Sequence, residues 1–422
     1  MARRILTLAS LVCLVCLAGT QAADWPGSRG PQGNGITQEA SAPLEWSASK
    51  NIKWKAPLPR PGNGSPIVSG GKVFVASAED ADGNRRSLYC FDRNSGKQLW
   101  VKTIDFGKKM LTHQTNPYCG STPAANGERV VVWEASAGLH CYDFNGEEIW
   151  SRDLGEFEHI WGYGSSPVIF GDKVILNSGP GERVFVAAFQ LSDGKTIWET
   201  DEPHKGSNSE REDGKYKGSW CTPIIAKVQG KDQIICTMPA RVVAYDPSDG
   251  GIIWSCEGVS HGNGDLSYSS PIIADDLCVA IGGYRGPALA IKLGGTGDVT
   301  EKGRLWRNER QPQSIGSGVF IDGYVYRPNA GPGTIECLDP KTGKIEWSDR
   351  AARANNWGSI VYAAERCYLT NQNGTTVVFS PNPDKCEILA TNRLGESSNS
   401  TPAISDGQIF IRTFEHLYCI GE

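Results

Sequence analysis

A tryptophan returns seven times at the close of one recurring phrase, at Trp54, Trp100, Trp150, Trp198, Trp254, Trp306 and Trp347. Such a period confines the chain to architectures that stack one supersecondary unit, because a single unit cannot bury its own apolar face. Cys90-Phe91-Asp92 leads to Gly96 and Trp100, and Cys337-Leu338-Asp339 leads to Gly343 and Trp347, with a small residue, Asp, Gly and Trp at equal offsets. Ala244-Tyr245-Asp246 to Trp254 repeats the spacing, Cys141 to Trp150 is one residue shorter, Ala188 to Trp198 has Gln190 at the Asp position, and Ala290 to Trp306 carries an insertion. Asp caps its own turn and Gly supplies the positive φ of a tight reversal, so each phrase reads as strand, turn, strand with Trp in the last strand.

A second phrase precedes each hairpin: Ser/Thr-Pro, an apolar run, a Gly/Asp/Asn turn and a β-branched run. It occurs at Ser65-Pro66, Thr122-Pro123, Ser166-Pro167, Thr222-Pro223, Ser270-Pro271 and Thr401-Pro402, with weaker copies at Gly318-Val319 and Ser359-Ile360. Together the phrases predict eight units of four antiparallel strands, each roughly 40–55 residues, the length of a propeller blade. The eighth, Thr401 to Cys419, lacks a fourth strand, whereas Ile52-Lys53-Trp54-Lys55-Ala56-Pro57-Leu58 has the outer-strand pattern and no blade of its own. Pairing the two closes the ring and removes open strand edges. The expected architecture is an all-β, eight-bladed propeller over residues 50–422, preceded by a leader segment over 24–49 and a signal peptide over 1–23.

Met1 to Ala23 carries Arg3 and Arg4, an apolar stretch from Ile5 to Ala18 and small residues at Thr20, Ala22 and Ala23, the layout of a cleaved secretory signal. The chain is therefore expected as an exported monomer, periplasmic or extracellular, with no transmembrane segment. Cys13 and Cys16 lack the preceding small residues of a lipoprotein cleavage site, which disfavours a lipid anchor. Without Arg3 and Arg4 the chain keeps 40 of its 42 basic residues against 47 acidic ones, with no concentrated basic face, which disfavours nucleic acid as a partner.

Of thirteen cysteines, two fall in the signal and eleven remain, an odd number for a disulfide framework. Cys90, Cys141, Cys337 and Cys419 share a repeat column with Ala188, Ala244 and Ala290, a small buried site beside the Trp where a thiol serves as a compact apolar group. Equal positions in adjacent blades lie too far apart to be bridged, which leaves Cys236 with Cys256 and Cys367 with Cys386 as candidate within-blade pairs. Cys-x-x-Cys occurs only in the signal, so no structural zinc site is expected.

The hairpin phrase resembles the tryptophan-docking motif of the pyrrolo-quinoline quinone (PQQ) repeat propellers, A-x-D-x-x-T-G-K-x-x-W, with Asp339 to Trp347 matching from the Asp onward. The segment Asp24-Trp25-Pro26-Gly27-Ser28-Arg29-Gly30-Pro31-Gln32-Gly33-Asn34-Gly35 resembles the leader of exported bacterial members. The likeness covers residues 50 to 420 and implies a quinoprotein-like fold. It implies either a quinoprotein dehydrogenase oxidising alcohols or sugars, or a non-catalytic propeller similar to the assembly factor BamB. The alcohol-oxidising members carry adjacent paired cysteines over the quinone and a Glu, an Asn and an Asp near calcium. This chain has no Cys-Cys pair, no local motif onto which those roles carry over, and no haem-attaching Cys-x-x-Cys-His. No catalytic residue, metal or cofactor is therefore assigned, and PQQ with calcium stands as the alternative.

In a propeller the axial funnel is walled by the loops that lead into the first strands. These read Asn116-Pro117-Tyr118-Cys119-Gly120, His159-Ile160-Trp161-Gly162-Tyr163, Ser219-Trp220-Cys221, Asp265-Leu266-Ser267-Tyr268, Gln313-Ser314-Ile315 and Asn355-Asn356-Trp357. If they converge, Asn116, Tyr118, Trp161, Tyr163, Trp220, Tyr268, Asn356 and Trp357 form a polar and aromatic mouth suited to a planar or sugar-like ligand. The competing reading packs the aromatics between blades and spends the polar groups on turns. His113, His159, His204 and His261 also fall between blades, at irregular offsets that favour surface or turn-satisfying roles over a metal site. Asp201 to Gly218 and Gly294 to Gly303 exceed a minimal connection, the charged first of them reading as a solvated loop.

The expected function is a non-catalytic binding or scaffolding propeller of the cell envelope, its partner another envelope protein or a small polar ligand in the funnel. A quinoprotein dehydrogenase and a carbohydrate-binding propeller are the alternatives. Truncating Trp198 to Ala is expected to cost about 3–5 kcal/mol, as for other large buried aromatics, read as the shift in urea denaturation. A variant as stable as the parent means the blade has been drawn wrongly.

Overall fold

The computed structural model describes residues 24–422 apart from 182, 204–215, 310–311 and 352. The signal peptide expected at 1–23 lies outside the described residues, as does His204. Blade 1 runs Ile67–Ser69, Lys72–Ala78, Arg85–Asp92 and Gln98–Asp105, each strand antiparallel to its sequence neighbour. The same order recurs around the ring in seven sheets of four strands and one of five, an eight-bladed propeller. The weaker phrases open blades 6 and 7, whose first strands are Val319–Ile321 and Val361–Ala363. Blade 8 takes Ala403–Ser405, Gln408–Arg412 and His416–Ile420 from the C-terminus and Ile52–Pro57 from the N-terminal side, with Trp54 opposite Cys419. The ring is therefore closed by pairing of the two ends of the repeat region.

The hairpin phrase has a physical reason at each position. Asp92 Oδ1 accepts the amides of Asn94 and Ser95, and Asp339 Oδ1 that of Lys341, holding the turn. The small column residue then faces the Trp directly, as in Cys90 opposite Trp100, Cys141 opposite Trp150 and Ala188 opposite Trp198. In each of these hairpins the register slips immediately after that pair, a bulge that adds twist to the outer half of the blade. The indole reaches the next blade, where its Nε1 donates to the carbonyl just after the Asp position. Trp54 donates to Arg93, Trp100 to Phe144, Trp150 to Leu191, Trp198 to Pro247 and Trp306 to Pro340, at 2.8–3.1 Å. Trp347 makes the same reach to Asn382, at 2.9 Å.

Two junctions depart from the rule. Trp254 of blade 4 turns back to Gln233 of its own sheet, at 2.9 Å. The Gly294–Gly303 insertion explains this: Gly297–Asp298 lies parallel to Trp254 and Ser255 as a fifth strand, followed by a short helix, Thr300–Gly303. In blade 7 the column pair is Val378 with Ala390, so the seven tryptophans serve an eight-bladed ring with one outer strand lacking the indole.

The leader is built into the fold. Trp25 exchanges both backbone hydrogen bonds with Val68 in the first strand of blade 1, Ala125 of blade 2 donates to Pro26, and Tyr362 of blade 7 donates to Gly35. These contacts occupy the inner edges of first strands, so the segment plugs one end of the axial channel. Trp25 is fully buried beneath Gly30, where any Cβ would strike the indole at 2.8 Å.

All eleven described cysteines are unpaired, ten of them buried. Neither Cys236 with Cys256 nor Cys367 with Cys386 is bonded in the structure. Cys236 and Cys256 occupy different core clusters, and burial followed by hydrogen bonding with Cys221 pushes the Cys236 thiol well up.

Gly71 and Gly96, both in blade 1, separate two costs. Each has a positive φ, 76° and 69°, but a Cβ on Gly71 meets nothing within 4 Å whereas one on Gly96 would lie 2.5 Å from the Trp54 ring. Gly71→Ala should cost roughly 1–2 kcal/mol from the backbone alone. Gly96→Ala should cost clearly more in the same urea titration, and equal losses would mean that Trp54 does not dock there in solution.

Candidate functional site: the axial funnel

The Ser and Thr residues that open the first strands, six of the eight followed by Pro, form a ring of hydroxyls around the axis. Ser65 N donates to Thr122 Oγ1 (3.0 Å), Thr122 N to Ser166 Oγ (2.9 Å) and Ser166 N to Thr222 Oγ1 (3.1 Å). The chain resumes with Ser270 N to Ser317 Oγ, Ser317 N to Ser359 Oγ, Ser359 N to Thr401 Oγ1 and Thr401 N to Ser65 Oγ, all at 2.9–3.0 Å. Between Thr222 and Ser270 the link is reversed, with Ser270 Oγ donating to Thr222 O at 2.8 Å. The reading of these residues as strand starts missed this role, although their recurrence at one repeat position was the signal for it.

All eight hydroxyl residues line a cavity of about 390 Å³ whose floor is Ser28 and Arg29 of the plug. Above the ring the wall has two halves. On the side of blades 3 to 5 an aromatic crescent packs edge to face: Trp161 and Tyr216 at 5.1 Å between ring centroids, Trp220 and Tyr268 at 5.4 Å, with His159 wedged against Trp220 at 4.9 Å. Trp220 is held by Nε1 donating to Gly162 O, and its loop by the parallel pairing of Lys217–Ser219 with Asp265–Ser267. On the side of blades 8, 1 and 2 lies an amide belt. Asn399 Nδ2 donates to Asn63 Oδ1 (3.0 Å), Asn63 Nδ2 to Asn116 Oδ1 (2.9 Å), and Asn116 Nδ2 to the Trp161 carbonyl (2.7 Å). Asn399 Oδ1 is buried with no hydrogen-bond partner.

Of the residues singled out from sequence, the structure brings Asn116, Trp161, Trp220, Tyr268 and Trp357 to this cavity. Tyr118, Tyr163 and Asn356 stand behind the wall. Tyr118 donates to Met110 O at 2.7 Å, and the Arg86 guanidinium lies over both the Tyr118 and Tyr163 rings, at 5.1 and 5.8 Å. The Tyr163 hydroxyl bonds Glu134, whose carboxyl burial pushes up against the opposing pull of Arg86. Asn356 Nδ2 is spent on Thr334 O. For the two tyrosines the packing alternative describes the contacts, while Asn356 leaves its Oδ1 buried without a partner behind the wall. Asn63 and Asn399 were missed because each falls in a loop whose neighbours carry no aromatic residue.

The histidines satisfy turns. His113, His159 and His261 each accept the amide two residues on at Nδ1, at 3.2–3.3 Å. His159 is not on the surface; it is 1 % exposed, and desolvation lowers its pKa to about 4. Glu396, Glu415 and His416 bring oxygen and nitrogen atoms within 4.8 Å of one another away from the funnel, where Glu396 already bonds His416, Thr413 and Tyr418. Among the described residues no helix is long and apolar enough to cross a membrane.

A closed ring of tryptophan-docked blades around a plugged, hydroxyl-lined funnel defines the class as a quinoprotein-type β-propeller. The chain belongs to the PQQ-repeat family described as outer membrane protein assembly factor BamB, which matches residues 44–103 and 84–349. No curated protein matches the chain in sequence. Among solved structures it is similar to BamB from Moraxella catarrhalis, with a TM-score of 0.56, 14% identity, and 87% of this chain and 96% of that one covered. It is also similar to quinohemoprotein alcohol dehydrogenase from Comamonas testosteroni, with a TM-score of 0.66, 14% identity, and coverage of 95% and 81%. The computationally designed protein Ika8 matches with a TM-score of 0.58, 14% identity, and coverage of 87% and 98%. At such identities the likeness is one of fold.

His159 makes the crescent pH-sensitive. Its folded pKa is depressed from 6.5 to about 4, so the unfolded chain takes up the proton first as pH falls. The stability gained by keeping the imidazole neutral is complete above about pH 6.5 and is lost toward pH 4, about 3 kcal/mol in all. His159→Asn keeps an acceptor for the Trp161 amide without titrating, so its stability profile between those limits should be flatter than the parent's in urea titrations at each pH. Parallel profiles would place the imidazole in water.

Proposed function

We propose that the protein is an exported envelope propeller that binds a small polar ligand in its axial funnel and does not transform it. The observation that carries this reading is the buried, unpartnered Asn399 Oδ1 in an amide belt facing the aromatic crescent across one cavity. Buried polar atoms are nearly always satisfied, so a bound group that donates a hydrogen bond there while a flat face lies on Trp161 completes the site. The residues present do not fit a calcium-held quinone. Amides line the funnel, but among the described lining residues there is no Asp or Glu to ligate calcium or act as a base. Docking of a protein on the outer rim is favoured less, because Leu99, Ile149, Ile197 and Leu305 are exposed one per outer strand and so are spread around the ring.

Titration calorimetry of the chain from residue 24 with PQQ, with and without calcium, and with a panel of monosaccharides tests the reading. Retention of a sugar or other neutral polar ligand that weakens roughly tenfold in Trp161→Ala and Trp357→Ala supports it. Calcium-dependent PQQ binding with dye reduction by alcohols or sugars overturns it in favour of a dehydrogenase.

A further inference from the structure

The floor of the funnel is chemically unlike its walls. Arg29 comes from the plug, holds a positive φ of 61°, is 5 % exposed and lines the cavity. Its Nη2 donates to the carbonyls of Asn34 and Gly318, which fixes the guanidinium across the channel toward blade 6. Its Nε is buried without a partner. Of the other buried guanidinium groups, Arg327 pairs with Glu336 and Arg241 is bidentate to Glu202, whereas Arg412 bonds only the carbonyls of Gly64 and Arg60, as Arg29 bonds carbonyls, but does not line the cavity. Arg29 has no carboxylate partner among the described residues, and its surroundings are dominated by desolvation, which lowers its pKa to about 10. An unpaired buried charge is costly unless something neutralises it.

The hydroxyl ring above it has the complementary property. Because seven of its bonds use the hydroxyl oxygen as acceptor for a neighbouring amide, the hydroxyl hydrogens at positions such as Thr122, Ser317 and Thr401 are not spent on holding the ring. One cation, several available O–H donors and, among the described lining residues, no carboxylate make a site whose field and donors both suit negative charge.

We propose that the funnel floor is an oxyanion site, in which Arg29 and the axial hydroxyls receive a carboxylate or similar group of a small acid whose remainder lies against the aromatic crescent. This rests on the funnel being a ligand site, and it adds the charge class of the ligand. The group is bound intact, with no bond made or broken.

The test uses the chain from residue 24 in a buffer free of other oxyanions, with benzoate, its neutral counterpart benzyl alcohol, and inorganic phosphate as probes in titration calorimetry. Benzoate is expected to bind at least roughly tenfold more tightly than benzyl alcohol and to be displaced by phosphate, with Arg29→Met losing the preference and Arg29→Lys keeping part of it. Should Arg29→Met fail to fold, the comparison of benzoate with benzyl alcohol on the parent decides alone. Equal binding of the two, or an undiminished preference in folded Arg29→Met, overturns the oxyanion floor while leaving the funnel as a neutral-ligand site. If the two aromatic probes, phosphate, sugars and PQQ all fail to bind, the funnel reading fails with it.

Discussion

Around the axis of a propeller every blade turns a first strand inward, and the backbone amides at its start face no further strand. Here those amides are satisfied by hydroxyls supplied from the next blade, so that one residue per blade closes a circuit of short bonds. In six blades the Ser or Thr is followed by Pro, whereas after Ser359 the Ile360 amide donates to Ser317 O. The hydroxyl accepts the neighbour's amide, and the Pro has no amide of its own to satisfy where the strand begins. The circuit sets the waist of the funnel, and the plug beneath it supplies the floor.

Farther out, the indoles do for the outer strands what the hydroxyls do for the inner ones. Each spans a blade junction and hydrogen-bonds a turn that the Asp has already shaped, while the turn Gly leaves room for the ring. Where the outer belt lapses, the two belts change together at one junction and separately at the other. At the junction after blade 4 Trp254 binds within its own sheet, and in blade 7 Ala390 takes the indole's place. In blade 7 the inner circuit is intact, since Ser359 N still donates to Thr401 Oγ1. After blade 4 it is inverted, with Ser270 giving its hydrogen to Thr222 instead of receiving an amide there.

The blade count, the strand order and the closing strand were legible because they rest on local chemistry repeated many times: Asp and Gly for a turn, a small residue opposite Trp, and an orphan outer strand at the N-terminal end matched by a C-terminal unit that lacks one. The funnel was legible only in part. Loop position placed Asn116, Trp161, Trp220, Tyr268 and Trp357 on the axis, but an aromatic in such a loop can turn inward or backward, and sequence spacing does not fix which. Tyr118 and Tyr163 turned backward because the buried Arg86 and Glu134 offered them cation–π and hydrogen-bond partners, residues that lie on strands and in turns well separated in the chain. The plug was illegible for a different reason. Its bonds are single bridges to the edges of distant strands, so no periodicity announces them, and Arg29 reads as one charged residue among many until its burial is seen.

The likeness to a natural assembly factor, a dehydrogenase and a designed protein shows how little the ring itself says about chemistry. What distinguishes one such ring from another is what occupies the axis. In this chain that is a leader segment which pairs with the inner strand edges and brings a guanidinium under a circle of hydroxyls. The same bonds that hold the plug at Val68, Ala125 and Tyr362 set the depth of the cavity. On the reading of the funnel as a ligand site, a change at Arg29 bears on the ligand, whereas a change at Trp25, packed in one core cluster with Val68 and Tyr368, bears on the stability of the ring.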